Sequence, residues 1–188
     1  MSELRTITKT GAEQQDVIQL LDQLTGEIFI PYSAFSIITS TPVVAAIGGS
    51  TVGGYAMDAT TAEAVTTVLR VPNDFPALDA TAAVNCYVNW SAAATSGDVV
   101  WDIDYRVSAL AEDIGAAVTN ITATDTAAGT ADFASESPVL AIAANVLADS
   151  DLLFITVRRE AADAGDTMTG DASFNGLRIS YTTNPKIV

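Results

Sequence analysis

Asp98-Val99-Val100-Trp101-Asp102-Ile103-Asp104-Tyr105-Arg106-Val107-Ser108-Ala109-Leu110 decides the fold. Every second residue from Val99 reads Val, Trp, Ile, Tyr, Val, Ala. The intervening register reads Asp102, Asp104, Arg106, Ser108. A strand sends alternate side chains to opposite faces, so this segment has one apolar face and one charged face. A period of 3.6 would mix the two sets. The stretch predicts a long strand in a sheet with one dry side.

Working outward, Ala82–Ala92 repeats the pattern. Val84, Cys86, Val88 and Trp90 share one face, and Asn85, Tyr87 and Asn89 the other. Ser96-Gly97-Asp98 between the two segments predicts a tight hairpin turn. Leu152–Arg159 alternates Leu153, Ile155 and Val157 with Phe154, Thr156 and Arg158. Ser173–Thr182 points Leu177, Ile179 and Tyr181 inward. Weaker strands are expected at Ile28–Pro31, Ala34–Thr39, Tyr55–Asp58, Glu63–Val71, Val118–Thr124, Gly129–Phe133 and Pro138–Val146. Pro42–Val52 reads as a Gly-rich loop with at most one weak strand. Eight to ten strands without intervening helices predict an all-β, mainly antiparallel sandwich, and the strand count favours a jelly roll. The Cys…Trp…Cys signature of an immunoglobulin sandwich is missing.

The first 26 residues differ. Val17, Leu20, Leu21 and Leu24 recur at i, i+3, i+4 and i+7, one face of a short helix that Gly26 is placed to stop. A helix this short needs its apolar face covered. Either its own domain covers it, or copies of the chain or a larger body do. The predicted organisation is an N-terminal arm and amphipathic helix over 1–26 and a sandwich over 27–188.

Composition excludes several functions. The 188 residues carry 23 acidic and eight basic side chains, a net charge of −15. Nucleic-acid binding needs clustered Lys and Arg, and none cluster here. The same poverty disfavours an anionic membrane surface. No run approaches the roughly 20 apolar residues of a membrane span, and Met1–Gln15 lacks a signal peptide's apolar core. The chain is therefore expected to be made in a cytoplasm and not exported by that route. Histidine is absent, which removes Ser-His-Asp and Cys-His catalysis and His-ligated zinc. The single cysteine, Cys86, lies on a dry strand face and reads as a structural thiol.

Two constellations resemble chemistry. Asp102 and Asp104 share a strand face, and two carboxylates at a set separation are what a glycosidase needs. Twenty-three acids on a domain this size bring some together by composition, and a solvated or interface face is the simpler reading. Asp163, Asp166 and Asp171 lie in one loop and could offer oxygens to calcium. That loop departs from the EF-hand pattern, and Asp and Gly are ordinary turn residues. No catalytic residue and no cofactor is expected, calcium near those three aspartates being the one metal the composition allows. Trp90 and Trp101 alternate inward, as core residues do.

Three stretches carry a family resemblance. The first is Gly26-Glu27-Ile28-Phe29-Ile30-Pro31-Tyr32-Ser33-Ala34-Phe35. The second runs from Arg70-Val71-Pro72 through Val88-Asn89-Trp90 to Val100-Trp101. The third is Arg159-x-x-x-Asp163-x-x-Asp166-Thr167, followed by Gly176-Leu177-Arg178-Ile179-Ser180-Tyr181. Together, over about residues 26–183, they resemble phage-encoded virion structural proteins with a jelly-roll-like β domain. The resemblance implies a non-enzymatic head decoration or cement protein assembled on the phage particle. Its implied partners are the major capsid protein and copies of itself, with a homotrimer as the default. The N-terminal segment matches nothing in that set. It is the expected attachment element, with Val17, Leu20, Leu21 and Leu24 as contact residues. The alternative is a receptor- or glycan-binding module of a tail fibre or spike, working through loops 41–54 or 160–172.

Overall fold

A computed structural model describes residues 25–49, 53–73, 83–115, 117–143 and 146–182. The predicted helix, with Val17, Leu20, Leu21 and Leu24, lies outside the described residues, as does the tail from 183 onward. Among the described residues there are twelve strands: β1 Thr25–Pro31, β2 Ser36–Thr39, β3 Val43–Ala46, β4 Gly53–Met57, β5 Glu63–Arg70, β6 Ala83–Ala92, β7 Asp98–Ser108, β8 Thr119–Thr126, β9 Ser135–Glu136, β10 Leu140–Ala143, β11 Leu152–Arg159 and β12 Ala172–Thr182. Single 3-10 turns, Tyr32–Ala34 and Ile47–Gly49, follow β1 and β3.

The strands form two antiparallel sheets, as the period-two pattern predicts. One has the order β10-β6-β12-β4-β3, with β1 paired to the far part of β12 and β9 to β6. The other has the order β2-β5-β11-β7-β8. The pairing is nested. β4 pairs β12, β5 pairs β11, β6 pairs β10, and β7 pairs β8. Successive strands from β4 to β7 alternate between sheets, and the chain retraces the same path from β8 to β12. This is jelly-roll wiring.

The core is the stack of inward residues that the alternation picks out. Trp101, Ile103 and Val99 of β7 meet Val84, Cys86, Val88 and Trp90 of β6, with Ile155, Val157, Leu177 and Ile179, all buried. Trp90 and Trp101 pack edge to face at 6.1 Å, and Phe35 on Phe174 at 4.9 Å. Such pairs add about 0.5–1.5 kcal/mol beyond area burial. The Trp90 indole N–H donates to Asp125 Oδ2 at 2.8 Å, so its one polar atom is satisfied.

Four expectations change. Ser96-Gly97-Asp98 does not close a hairpin, because β6 and β7 lie in different sheets and the turn crosses between them. β1 begins at Thr25, two residues ahead of the expected boundary, and Gly26 lies inside it opposite Tyr181. A side chain there would meet the Tyr181 ring at 2.4 Å. Glycine here allows a close packing within a strand. Gly129–Phe133 is a turn and not a strand, because Gly129 and Asp132 have φ of +77° and +63°, outside the extended region. Finally, the charged face of β7 is not uniformly wet. Asp102 is only 4% exposed.

Candidate functional site

The third motif stretch surrounds Arg159. In β11 the inward register Leu153, Ile155, Val157 continues to Arg159, whose side chain is fully buried. A buried guanidinium needs all five donors satisfied. Nε donates to Asp166 Oδ2 at 2.9 Å and Nη2 to Asp166 Oδ1 at 2.7 Å, a bidentate pair. Nη1 donates to the carbonyls of Met57 (3.2 Å) and Gly170 (2.7 Å), and Nη2 also to that of Met168 (2.7 Å). Asp166 Oδ2 accepts the Val100 N–H as well, at 3.2 Å. Asp163 Oδ1 takes the Gly165 N–H, and Thr167 Oγ1 the Asp98 N–H.

Of the three aspartates that composition offers to calcium, two are engaged within the chain. Asp166 is neutralised by Arg159, and Asp163 caps its own turn. Among the described residues no group of three or more His, Cys, Asp or Glu could hold a metal. The loop is a clasp that ties β11 to the turns at one end of the sandwich.

The carboxylate pair lies on the outer face of the second sheet, where β11 sets Arg158 opposite Asp102 and β8 sets Asn120 opposite Asp104. Arg158 Nη2 donates to Asp102 Oδ2 at 3.0 Å and to Asp104 Oδ2 at 2.8 Å. Asn120 Nδ2 donates to Asp102 Oδ1 and, at 2.9 Å, to Asp104 Oδ1. Glu160 pairs with Arg158 Nε. Three carboxylates thus share one guanidinium. Burial, then the hydrogen bond that protonated Asp102 can give to the Glu160 carboxylate, pushes Asp102 up from 3.8 to about 6, with Arg158 opposing. A glycosidase pair needs open space between its acids for a sugar and water. Here Arg158 and Asn120 bridge the two acids directly.

Cys86 is buried, and burial pushes its thiol up to about 12, so no thiolate forms at neutral pH. Tyr87 faces outward beneath the Arg178 guanidinium, 3.9 Å from the ring centre, and Arg178 pairs with Glu136 and Glu27.

The two ends of the sandwich differ. At one end the turns bond to each other: Ala127 N–H to Gly97 O, Asp132 N–H to Ala92 O, and Thr167 and Met168 N–H to Asp98 O. Between these turns sits a dish of about 140 Å3, lined by Ala45, Ile47, Ser91, Asp132, Asp171 and Ser173. It brings parts of the two loops predicted for ligand binding, 41–54 and 160–172, to one place. It contains two carboxylates and two hydroxyls, and no aromatic ring.

The opposite end carries Thr25 paired with Thr182, so the N-terminal segment departs there. The β7–β8 loop at this end closes on itself. Ala109 N–H donates to Glu112 Oε2, and Glu112 N–H to Ala109 O. Leu110, Ile114, Val118 and Val146 stand exposed. A cleft of about 480 Å3 opens beside them, lined by Tyr105, Arg106, Val107, Glu112, Val146 and Asp151. The sequence reading did not single out this end. The signal for it was three large apolar residues, Leu110, Ile114 and Val118, in and on either side of the loop 111–117.

No protein-family model matches the sequence, and no curated protein matches it. The structure is similar to that of a family 35 carbohydrate-binding module from Clostridium thermocellum, with a TM-score of 0.41 and 11% identity. The likeness covers 82% of this chain and 97% of that one. Among the described residues no helix is long and apolar enough to cross a membrane.

Proposed function

We propose that the chain is a non-enzymatic structural protein of a phage virion, a decoration or cement protein that stabilises the head. One observation carries the reading. The N-terminal segment leaves the sandwich at the end that exposes Leu110, Ile114, Val118 and Val146, so attachment element and apolar docking end coincide. The residues that carry the resemblance to virion proteins support it, because Arg159, Asp163, Asp166 and Thr167 are engaged in building the loop clasp.

In this account residues 1–24 and the apolar end bind the major capsid protein. Burial of Val17, Leu20, Leu21 and Leu24, at about 25 cal/mol per Å2, ties neighbouring capsomers together. The acidic remainder keeps crowded copies from adhering through other faces. Deletion of residues 1–24, which stops short of β1, is expected to abolish cosedimentation with capsids lacking the protein while circular dichroism and thermal unfolding stay those of a folded sandwich. Full binding by the truncated chain contradicts the reading.

A second reading, a receptor- or glycan-binding module of a fibre or spike, is favoured by the dish where loops 41–54 and 160–172 meet. A glycan array separates the two. Binding that Asp171→Ala abolishes would favour the module, and a blank array the decoration protein.

A further inference from the structure

From Ile28 to Met57 the sequence contains no Asp, Glu, Lys or Arg, in a chain that otherwise carries a net charge of −15. That stretch builds one flank of the sandwich. β2 is the outermost strand of one sheet and β3 the outermost strand of the other. Only Ser40, Thr41 and Pro42 separate them in sequence. Among the described residues no strand pairs outside either. Ile37 and Ile38 are 41% and 51% exposed, and Val43 and Val44 66% and 56%. Sequence neighbours in a strand face opposite ways. Exposure of both neighbours means that the two strands overhang the core and are uncovered on both faces.

Natural edge strands are blunted by charges, by proline or by bulges. β2 has a register shift against β5 between Ile37 and Thr39, yet neither strand carries a charge or a proline. We propose that this double edge, Ser36–Ala46, is the contact through which the chain associates with a second copy of itself.

Two features select a second copy over other occupants. An extended peptide adds one strand to one sheet. Here two sheet edges stand on one flank, and a body with two such edges is needed to satisfy both. Each copy of this sandwich presents one such double edge in β2 and β3, and another in β8 and β10. Charge is the second. Copies at −15 repel through any acidic face, and this strand pair, which has no charge of its own and meets carboxylates only where Asp132 and Asp171 line the dish beside Ala45 and Ala46, is where they approach at least cost. The contact involves the chain alone, so it is testable without a capsid, and its failure is distinct from failure of the attachment reading.

The test is the solution mass of the purified full-length chain by sedimentation equilibrium, for the wild type, Ile38→Lys, Val44→Lys and the double variant. The wild type is expected at a multiple of the chain mass, and the double variant at the mass of one chain with unchanged circular dichroism. Leu110→Lys makes the same charge change at the apolar end and is expected to keep the wild-type mass. If the lysine variants do not fold, Ile38→Ser with Val44→Thr serves in their place. A wild type that sediments as one chain overturns the proposal, and so does a folded double variant at wild-type mass. Dissociation by Leu110→Lys alone also overturns it.

Discussion

Arg159 shows how a residue's role is set by what the fold brings to it. All five of its N–H groups are bonded, two of them to Asp166 and three to backbone carbonyls. Arg159→Met leaves the Asp166 carboxylate buried without its counter-charge, and breaking such a pair from one side costs about 3–5 kcal/mol. Chemical denaturation is expected to show a loss of that size, and Arg159→Lys is expected to recover only part of it, because an ammonium offers three donors. A loss below about 1 kcal/mol, the level of an exposed ion pair, would contradict the clasp. Asp166 was legible as an acid but not as a partner. Three aspartates in a loop suggest calcium until the inward register of β11 is followed one step past Val157 to Arg159, and that step was available in the sequence. Asp102 was misread for a different reason. Alternation predicts the face of a side chain and says nothing about whether Arg158, Glu160 and Asn120 will cover it.

The same cluster gives a pH dependence. Asp102 has a folded-state pKa of about 6 against an ordinary 3.8, so folding favours its protonated form. Its contribution to stability is fully present below the ordinary value and is lost as pH rises through about 6. Asp102→Asn keeps the shape and removes the titration. Relative to wild type, its unfolding free energy is expected to rise by about 1–3 kcal/mol as pH goes from about 4 to about 7. A difference that stays flat across that range would contradict the raised pKa.

At the scale of elements, strands with large alternating side chains were legible and those with small ones were not. β6, β7, β11 and β12 follow the sequence closely because Trp, Ile, Val and Leu sort without ambiguity between two faces. The Ala- and Thr-rich stretch after Asp125 has no such contrast. There, left-handed backbone at Gly129 and Asp132 turns the chain where a strand was expected. Ser96-Gly97-Asp98 marked a turn correctly but not a hairpin, since β6 and β7 lie in different sheets and the turn carries the chain from one to the other. Gly97 has φ of +96°, and a side chain on it would meet the Met168 backbone at 2.8 Å. Gly97→Ala is expected to destabilise by more than about 1 kcal/mol in thermal or chemical unfolding, since it combines strained backbone with a clash against the clasp loop. A neutral or stabilising result would mean that the loop can move aside.

At the scale of the whole molecule, the nested pairing could not be read from the sequence, which shows strands and turns but no partners. The charge distribution was legible as a total and not as a pattern. The structure sorts it into an outer sheet face of paired charges, a strand pair without charge of its own, and an end near Thr25 where Leu110, Ile114, Val118 and Val146 stand exposed beside Glu112 and Asp113. Under the two proposals the exposed apolar residues attach, the β2–β3 flank self-associates and the acidic faces repel, which together suit a protein present in many copies on one surface. The most direct test is copy number in purified virions, by quantitative mass spectrometry against the major capsid protein. The account predicts a number on the scale of the capsid protein itself. Only a few copies per particle, as for a fibre or vertex component, or complete absence from the particle, would contradict it.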